Sequence, residues 1–520
     1  MRAHGRHVIR APARARSELF ANTIAAWIWS QGALAVSILA LPLLTRLLSK
    51  DEFGLWTQLL SLSALATVAD MGMSLVFLRR ITDGADAHGA STLQSATAFY
   101  RVSSAILTVT LLVACLVPGG LLSPYMSHTR MPVLAAILVI VAMGVNLRFQ
   151  PYTLRMLTQG RMDLERIFGA GPAVAGTIVS VLAAYWFATA VAVAIGYTAV
   201  EIAFDIALMF VAYRRWPRSR IDSVAVRTLA WWARLWYEST GVLAIDLVPL
   251  ISMAIGIAVV GHVVGPAAAA VYGLAWKVGS LVRRFFTPFS DSLLVSLCRA
   301  ATTTRGAIAR LAAQLSVMTL AGGATAAFII VAAGPEGMRV VFGRGYGDGV
   351  WLVLVFVLTE TIRSMYRPIY RKIQSENGIG SLRYWFAASM ILQVPVAIVA
   401  ATHWSTVGAA VAALACSAVF EAAPVARRLS AYHRSEGTGG KPVLREAGAV
   451  ICAAFFVVLL GWGRQRLGTA IIGLSAIGAM AAGLLTFHQI VRYLAAARPV
   501  TDSSLAANSG VLVPDSGRQA

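Results

Sequence analysis

Apolar runs of about 20 residues, nearly free of charge, recur from Asn22 to the region of Val491, with short polar or basic segments between them. A helix needs about 20 mostly apolar residues to cross roughly 30 Å of hydrocarbon, and it satisfies its backbone polar groups internally. The pattern predicts spans near 22–44, 53–78, 93–117, 131–150, 167–187, 191–212, 236–260, 267–297, 308–333, 349–373, 383–402, 406–426, 446–463 and 468–491. Two uncharged stretches, Ile167–Val200 and Tyr384–Phe420, are too long for one crossing. Each must fold back, with turns near Ala188–Thr189 and His403–Thr406. The expected fold class is therefore an all-α polytopic membrane protein of about fourteen transmembrane helices.

The polar segments set the topology. With the N-terminus inside, the inner segments and tails hold 33 of the 44 Lys and Arg residues and the outer segments hold 7. Positive charge accumulates on the cytoplasmic side, so both termini are expected in the cytoplasm of a bacterial inner-membrane protein. Only 13% of the 520 residues are charged, about half the share of a soluble domain, which excludes a soluble enzyme. The formal net charge of +21 then reads as a topology determinant and a set of contacts to anionic membrane lipids, not as a nucleic-acid surface. Trp231 and Trp232, between Arg227 and Arg234, predict an amphipathic stretch lying in the inner interface before the seventh helix.

The chain also compares with itself. At an offset of 219, Phe53-Gly54-Leu55 meets Tyr272-Gly273-Leu274 and Ser61-Leu62 meets Ser280-Leu281; at 218, Tyr152 and Gly160 meet Tyr370 and Gly378. Together these imply a twelve-helix core of two six-helix lobes. The expected segments are a basic tail 1–16, an N-lobe 17–212, an interfacial loop 213–235, a C-lobe 236–427, a loop 428–445, an extra hairpin 446–493 and a disordered tail 494–520. Parallel repeats of this kind build alternating-access transporters with the site between the lobes.

Charges inside the spans are costly unless they face a cavity or a partner. At 1.5 Å per residue, Lys277 lies about 15 Å deep, and Glu201, Asp246 and Glu360 about 15–17 Å from a helix end. Arg101 lies about 12 Å from one, while Arg283 and Arg284 fall where they could snorkel to head groups. Lys277 and Arg284 share one helical face, as do Glu360, Arg363 and Arg367. One reading is a cationic cavity in which Arg101, Lys277, Arg284 and Arg363 receive an anionic substrate. Asp246, Glu201 or Glu360 then couples transport to H+ or Na+. The other reading is structural pairing, of Lys277 with Asp246 and of Glu360 with Arg363; Asp70, Glu238 and Glu421, nearer the boundary, read as structural pairs.

Enzyme constellations are scarce. The eight histidines are scattered, Cys115, Cys298, Cys416 and Cys452 lie in or beside apolar stretches, and no nucleotide-binding Gly-x-x-x-x-Gly-Lys-Ser/Thr pattern occurs. No metal or other cofactor is expected. Asp51-Glu52 reads as a helix start capped by Ser49.

The run from Pro42 through Thr45, Arg46, Ser49, Glu52, Phe53 and Gly54 to Trp56 resembles the first helix-loop-helix of the bacterial polysaccharide biosynthesis flippases. These are the Wzx-type oligosaccharide flippases of the multidrug/oligosaccharidyl-lipid/polysaccharide exporter superfamily. Asp70-Met71-Gly72 is similar to the family's acidic segment in helix two, and Gln159-Gly160-Arg161 to its turn after helix four. In the motif, Pro42 is expected to break the first helix near its outer end, with Arg46 at the interface and Gly54 allowing close packing. The resemblance implies translocation of an undecaprenyl-diphosphate-linked oligosaccharide, a precursor of O-antigen, capsule or exopolysaccharide. It implies a non-enzymatic carrier working as a monomer beside polymerase and export machinery. Alternatives are a cation-coupled multidrug exporter or a lipid II flippase of the same superfamily and, from another class, a membrane polymerase or ligase acting on lipid-linked sugars.

Overall fold

The computed structural model describes residues 13–427 apart from 71, 84–85, 117–130, 159–161, 216–227, 300–304, 376–381 and 426. The spans expected at 446–463 and 468–491, the tails, and Gln159, Gly160 and Arg161 lie outside the described residues. Every regular element among the described residues is helical. In chain order they are α1 (Ala13–Leu47), α2 (Lys50–Asp70), α3 (Met73–Asp83), α4 (Asp86–Leu116), α5 (Met131–Thr158), α6 (Met162–Phe187), α7 (Ala190–Arg215), α8 (Leu229–Val263), α9 (Pro266–Arg299), α10 (Arg305–Phe342), a 3-10 turn (Arg344–Gly349), α11 (Val350–Ser375), α12 (Leu382–Cys416) and a π-helical turn (Ser417–Ala422). By length and composition, seven stretches of described helix suffice to cross a membrane.

Both hairpin turns fall where the apolar lengths require them. Helix α6 stops at Phe187, Ala188 takes φ 52°, and α7 begins at Ala190. Helix α12 is interrupted at Trp404 and Ser405, the latter with φ 57°. At the start of α2, Ser49 Oγ accepts the Glu52 N–H at 3.2 Å, the capping contact expected of it.

Two boundaries differ from the sequence reading. The second helix does not run unbroken from 53 to 78: α2 ends at Asp70 and α3 restarts at Met73. The Asp70 carboxylate accepts the hydroxyls of Ser74 at 2.9 Å and Tyr100 at 2.5 Å, and Gly72 takes φ 68°. A side chain that ties down the helix end and a glycine in the left-handed region together end one helix and start another. Conversely, Pro42 does not break α1, which continues to Leu47. The proline removes one donor; the Thr45 hydroxyl donates to the Pro42 carbonyl at 3.0 Å, the kind of local rearrangement by which membrane helices tolerate proline.

The amphipathic tryptophans are likewise not a separate stretch, because α8 begins before them, with the Trp231 N–H bonded to Thr228 Oγ1 at 3.3 Å.

The chain divides into two compact units, 1–254 and 255–520, and α8 runs through the division. Within the first unit α6 packs on α1 and α7, and α5 on α4 and α7, around fully buried Phe53, Leu59, Phe77, Tyr100 and Ile140. Within the second, α11 lies along both α9 and α10. A Cβ on Gly279 of α9 would sit 2.5 Å from the Phe356 Cβ and 2.8 Å from its carbonyl carbon, so the absent side chain lets the two backbones approach. The repeat is visible locally: Ser61 Oγ donates to the Gln58 carbonyl at 2.7 Å, and Ser280 Oγ to the Lys277 carbonyl at 2.8 Å. Lys277 thus holds in the second unit the place that Gln58 holds in the first.

Candidate functional site

The second unit contains a chain of four charges. Arg363, one turn past the middle of α11, donates from Nε to Glu421 Oε2 and from Nη2 to Glu421 Oε1, both at 3.0 Å. Its Nη1 reaches Glu360 Oε1 at 3.4 Å. The other oxygen of Glu360 lies 2.8 Å from Arg283 Nε on α9. Arg283, Glu360, Arg363 and Glu421 therefore alternate in sign and cancel. Side-chain exposures are 14%, 0%, 5% and 6% in that order, so the chain is dry except at its Arg283 end. Charges in such a place persist because each has an opposite neighbour; a lone one would cost several kcal/mol.

Local structure aims these groups at one another. Glu360 and Arg363 share a face of α11 at i, i+3, as the spacing required. Glu421 sits in the π-helical turn, where Ser417 Oγ donates to it at 3.1 Å and Ser389 Oγ at 3.4 Å. A π turn widens the helix and is common at functional positions. Arg283 does not snorkel, because Glu360 holds it. Lys277 is half-buried and Arg284, seven residues on along α9, is exposed.

The first unit holds a second set. Glu201 and Asp205 lie one turn apart on α7, with the Tyr197 hydroxyl bonded to Glu201 and Asn146 Nδ2 donating to Asp205 Oδ1 at 3.3 Å. Asp205 is buried and its Oδ2 has no hydrogen-bond partner. Tyr197 stacks edge-on against Trp56, with ring centroids 5.6 Å apart. Arg101 is half-buried on α4, beside Tyr100. The Asp246 side chain lies outside the described residues, as does any pairing with Lys277.

Further contacts in this unit tie the motif residues. The Glu52 carboxylate accepts the Ala190 N–H at 2.5 Å, fastening the α1–α2 connection to the first turn of α7. Arg46 and the half-buried Pro42 lie on the last turns of α1, and Gly54 is buried in α2. Arg80 donates to both oxygens of Glu238, at 3.2 and 2.7 Å, and its guanidinium lies 5.4 Å over the Trp231 ring. Asp70, Glu238 and Glu421 are thus all paired, as their boundary positions suggested. Sequence reasoning missed Arg283, Asp205 and Asn146 as members of clusters; the i, i+4 spacing of Glu201 and Asp205 was the one signal available. Among the described residues no group of three His, Cys, Asp or Glu side chains is arranged to hold a metal ion.

A helical membrane protein in two units, with ion pairs buried inside its spans, is the architecture of a transporter. The solved structures with this fold agree. A lipid II flippase, MurJ, in an inward closed conformation matches 92% of this chain and 99% of its own with a TM-score of 0.54 at 10% identity. The Vibrio cholerae MATE transporter VcmN matches 81% and 97% at TM-score 0.52 and 11% identity. An outward-facing multidrug resistance MATE family transporter of the MOP superfamily matches 86% and 96% at 0.51 and 14%. No curated protein matches in sequence. The pattern of the polysaccharide biosynthesis protein family, however, matches residues 43–351, and the chain belongs to that family.

Proposed function

We propose that this protein is a flippase that carries an undecaprenyl-diphosphate-linked oligosaccharide, a surface-polysaccharide precursor, from the inner to the outer leaflet of the bacterial cell membrane. The observation that carries the reading is the family match over 43–351 on a chain with a flippase and exporter fold. The substrate's diphosphate is anionic, and it must cross a medium in which charge is expensive. Lys277 and Arg284 on α9 and Arg101 on α4 supply positive charge for it. Arg363 contributes to the same field from within its ion pairs. No cofactor is needed: an H+ or Na+ gradient drives the cycle through Glu360, Glu201 or Asp246. Both termini lie in the cytoplasm, the protein acts as a monomer, and the polymerase and export machinery take the product.

Lys277→Ala tests the reading in cells that depend on this protein for surface polymer. Export should fall at least tenfold at unchanged protein level, with lipid-linked precursor accumulating in the inner leaflet. Unchanged export removes Lys277 from the site. The structural likeness to multidrug resistance transporters favours a second reading, drug export, which raised drug resistance without an export defect would support.

A further inference from the structure

The four-charge chain of the second unit has one weak link, and it faces the exposed end. Arg363 holds Glu421 by a two-bond fork at 3.0 Å, whereas Arg283 touches Glu360 at 2.8 Å without hydrogen-bond alignment. Arg283 is also the most exposed of the four, and the next residue, Arg284, is exposed on the same helix. Glu360 itself is completely buried. We propose that Arg283 is a switch cation. An anionic group captured at Lys277 and Arg284 draws Arg283 off Glu360, and the vacated carboxylate takes up a small monovalent cation, a proton or a sodium ion, in its place. The switch rests on the anionic-substrate reading above and adds to it a coupling mechanism.

The surroundings of Glu360 leave few other ways to balance it. From its own helix come Arg363, at 3.4 Å and already committed to Glu421, and Arg367 one turn further. Helix α9 supplies Arg283, with Lys277 further along it and the buried phenol of Tyr272 near Arg363. The end of α12 and the π turn supply Glu421 and the Cys416 thiol beside it. At this level α10 presents Thr319, Gly322 and Gly323, none of which titrates. Withdrawing Arg283 leaves two carboxylates sharing one guanidinium in a dry site, an arrangement that demands a replacement cation. Coupling of this kind is reciprocal: whatever anion binding does for the cation, the cation does for anion binding.

The test uses the purified full-length chain in detergent, with inorganic pyrophosphate as the probe and calorimetry as the readout. Affinity is measured at low and high sodium, with choline chloride holding ionic strength constant, and separately at pH 6 and pH 8 without sodium. The switch predicts about fivefold or more tighter binding with added sodium, or with added protons; the responding arm identifies the ion. Glu360→Gln should remove the dependence and keep binding, which also subtracts the probe's own titration. Should that variant fail to fold, Arg283→Gln serves, because Glu360 then holds its cation permanently and the dependence again disappears. Pyrophosphate binding with no cation dependence, or with the same dependence in the variants, overturns the switch alone. No binding at all overturns the anionic-substrate reading as well.

Discussion

Replacing Arg363 by Met isolates the energetics of the buried charge chain. The substitution keeps much of the side-chain volume but deletes the fork to Glu421 and the weaker contact to Glu360. Glu421, 6% exposed, is left with the hydroxyls of Ser417 and Ser389, which cannot neutralise it. Breaking a buried pair on one side costs about 3–5 kcal/mol. At about 2–4 °C per kcal/mol for a unit of this size, the melting temperature should fall by roughly 6–20 °C. The double variant Arg363→Met/Glu421→Met removes one charge of each sign and leaves Arg283 and Glu360 as a neutral pair. It should recover more than half of the loss, since apolar replacement of a whole buried pair is often neutral. Tryptophan-fluorescence melting of the purified protein in detergent reads both. A loss under about 2 °C in the single variant, or a double variant no more stable than the single, refutes the claim that these charges persist by mutual compensation.

Three further substitutions probe the remaining contacts. Gly279→Leu should cost about 1–3 kcal/mol or prevent folding, because its side chain meets the Phe356 backbone and not a flexible tip; folded yield and melting temperature check this. Glu52→Ala should cost about 0.5–2 kcal/mol and speed hydrogen exchange at the first amides of α7, where the carboxylate caps Ala190. Unchanged exchange there disproves the cap. The Arg80–Glu238 pair, with side chains 22% and 43% exposed, should yield a coupling under about 1 kcal/mol in a double-mutant cycle despite its good geometry.

Much of the helical framework was legible because hydrocarbon thickness imposes a length on every span. That constraint alone places the turns at Ala188–Thr189 and Trp404–Ser405. Where a boundary depends on what a side chain meets, the pattern misleads. Asp70 looks like a polar residue tolerated in a long helix, yet it terminates one through hydroxyls from its own turn and from Tyr100, thirty residues away. Pro42 carries a strong local stop signal that the helix overrides. In the site, the pair Glu360–Arg363 follows from spacing on one helix. Its extension to Glu421 crosses 58 residues, and the reach of Glu52 to Ala190 crosses 138, so neither leaves a trace in periodicity. The charges could be recognised as costly, but not their partners.

The π turn at Ser417–Ala422 has a consequence for how this sequence can change. An α-helix advances about 100° per residue, and a π turn holds one residue more than the surrounding register allows. Deleting any single residue from 417 to 420 would return the segment to ordinary α-helix. It would also swing Glu421 roughly a quarter-turn away from Arg363. Length in these six positions is therefore as specific as residue identity. A lineage could exchange side chains here one at a time, but it could not gain or lose a residue without also dismantling the charge pair.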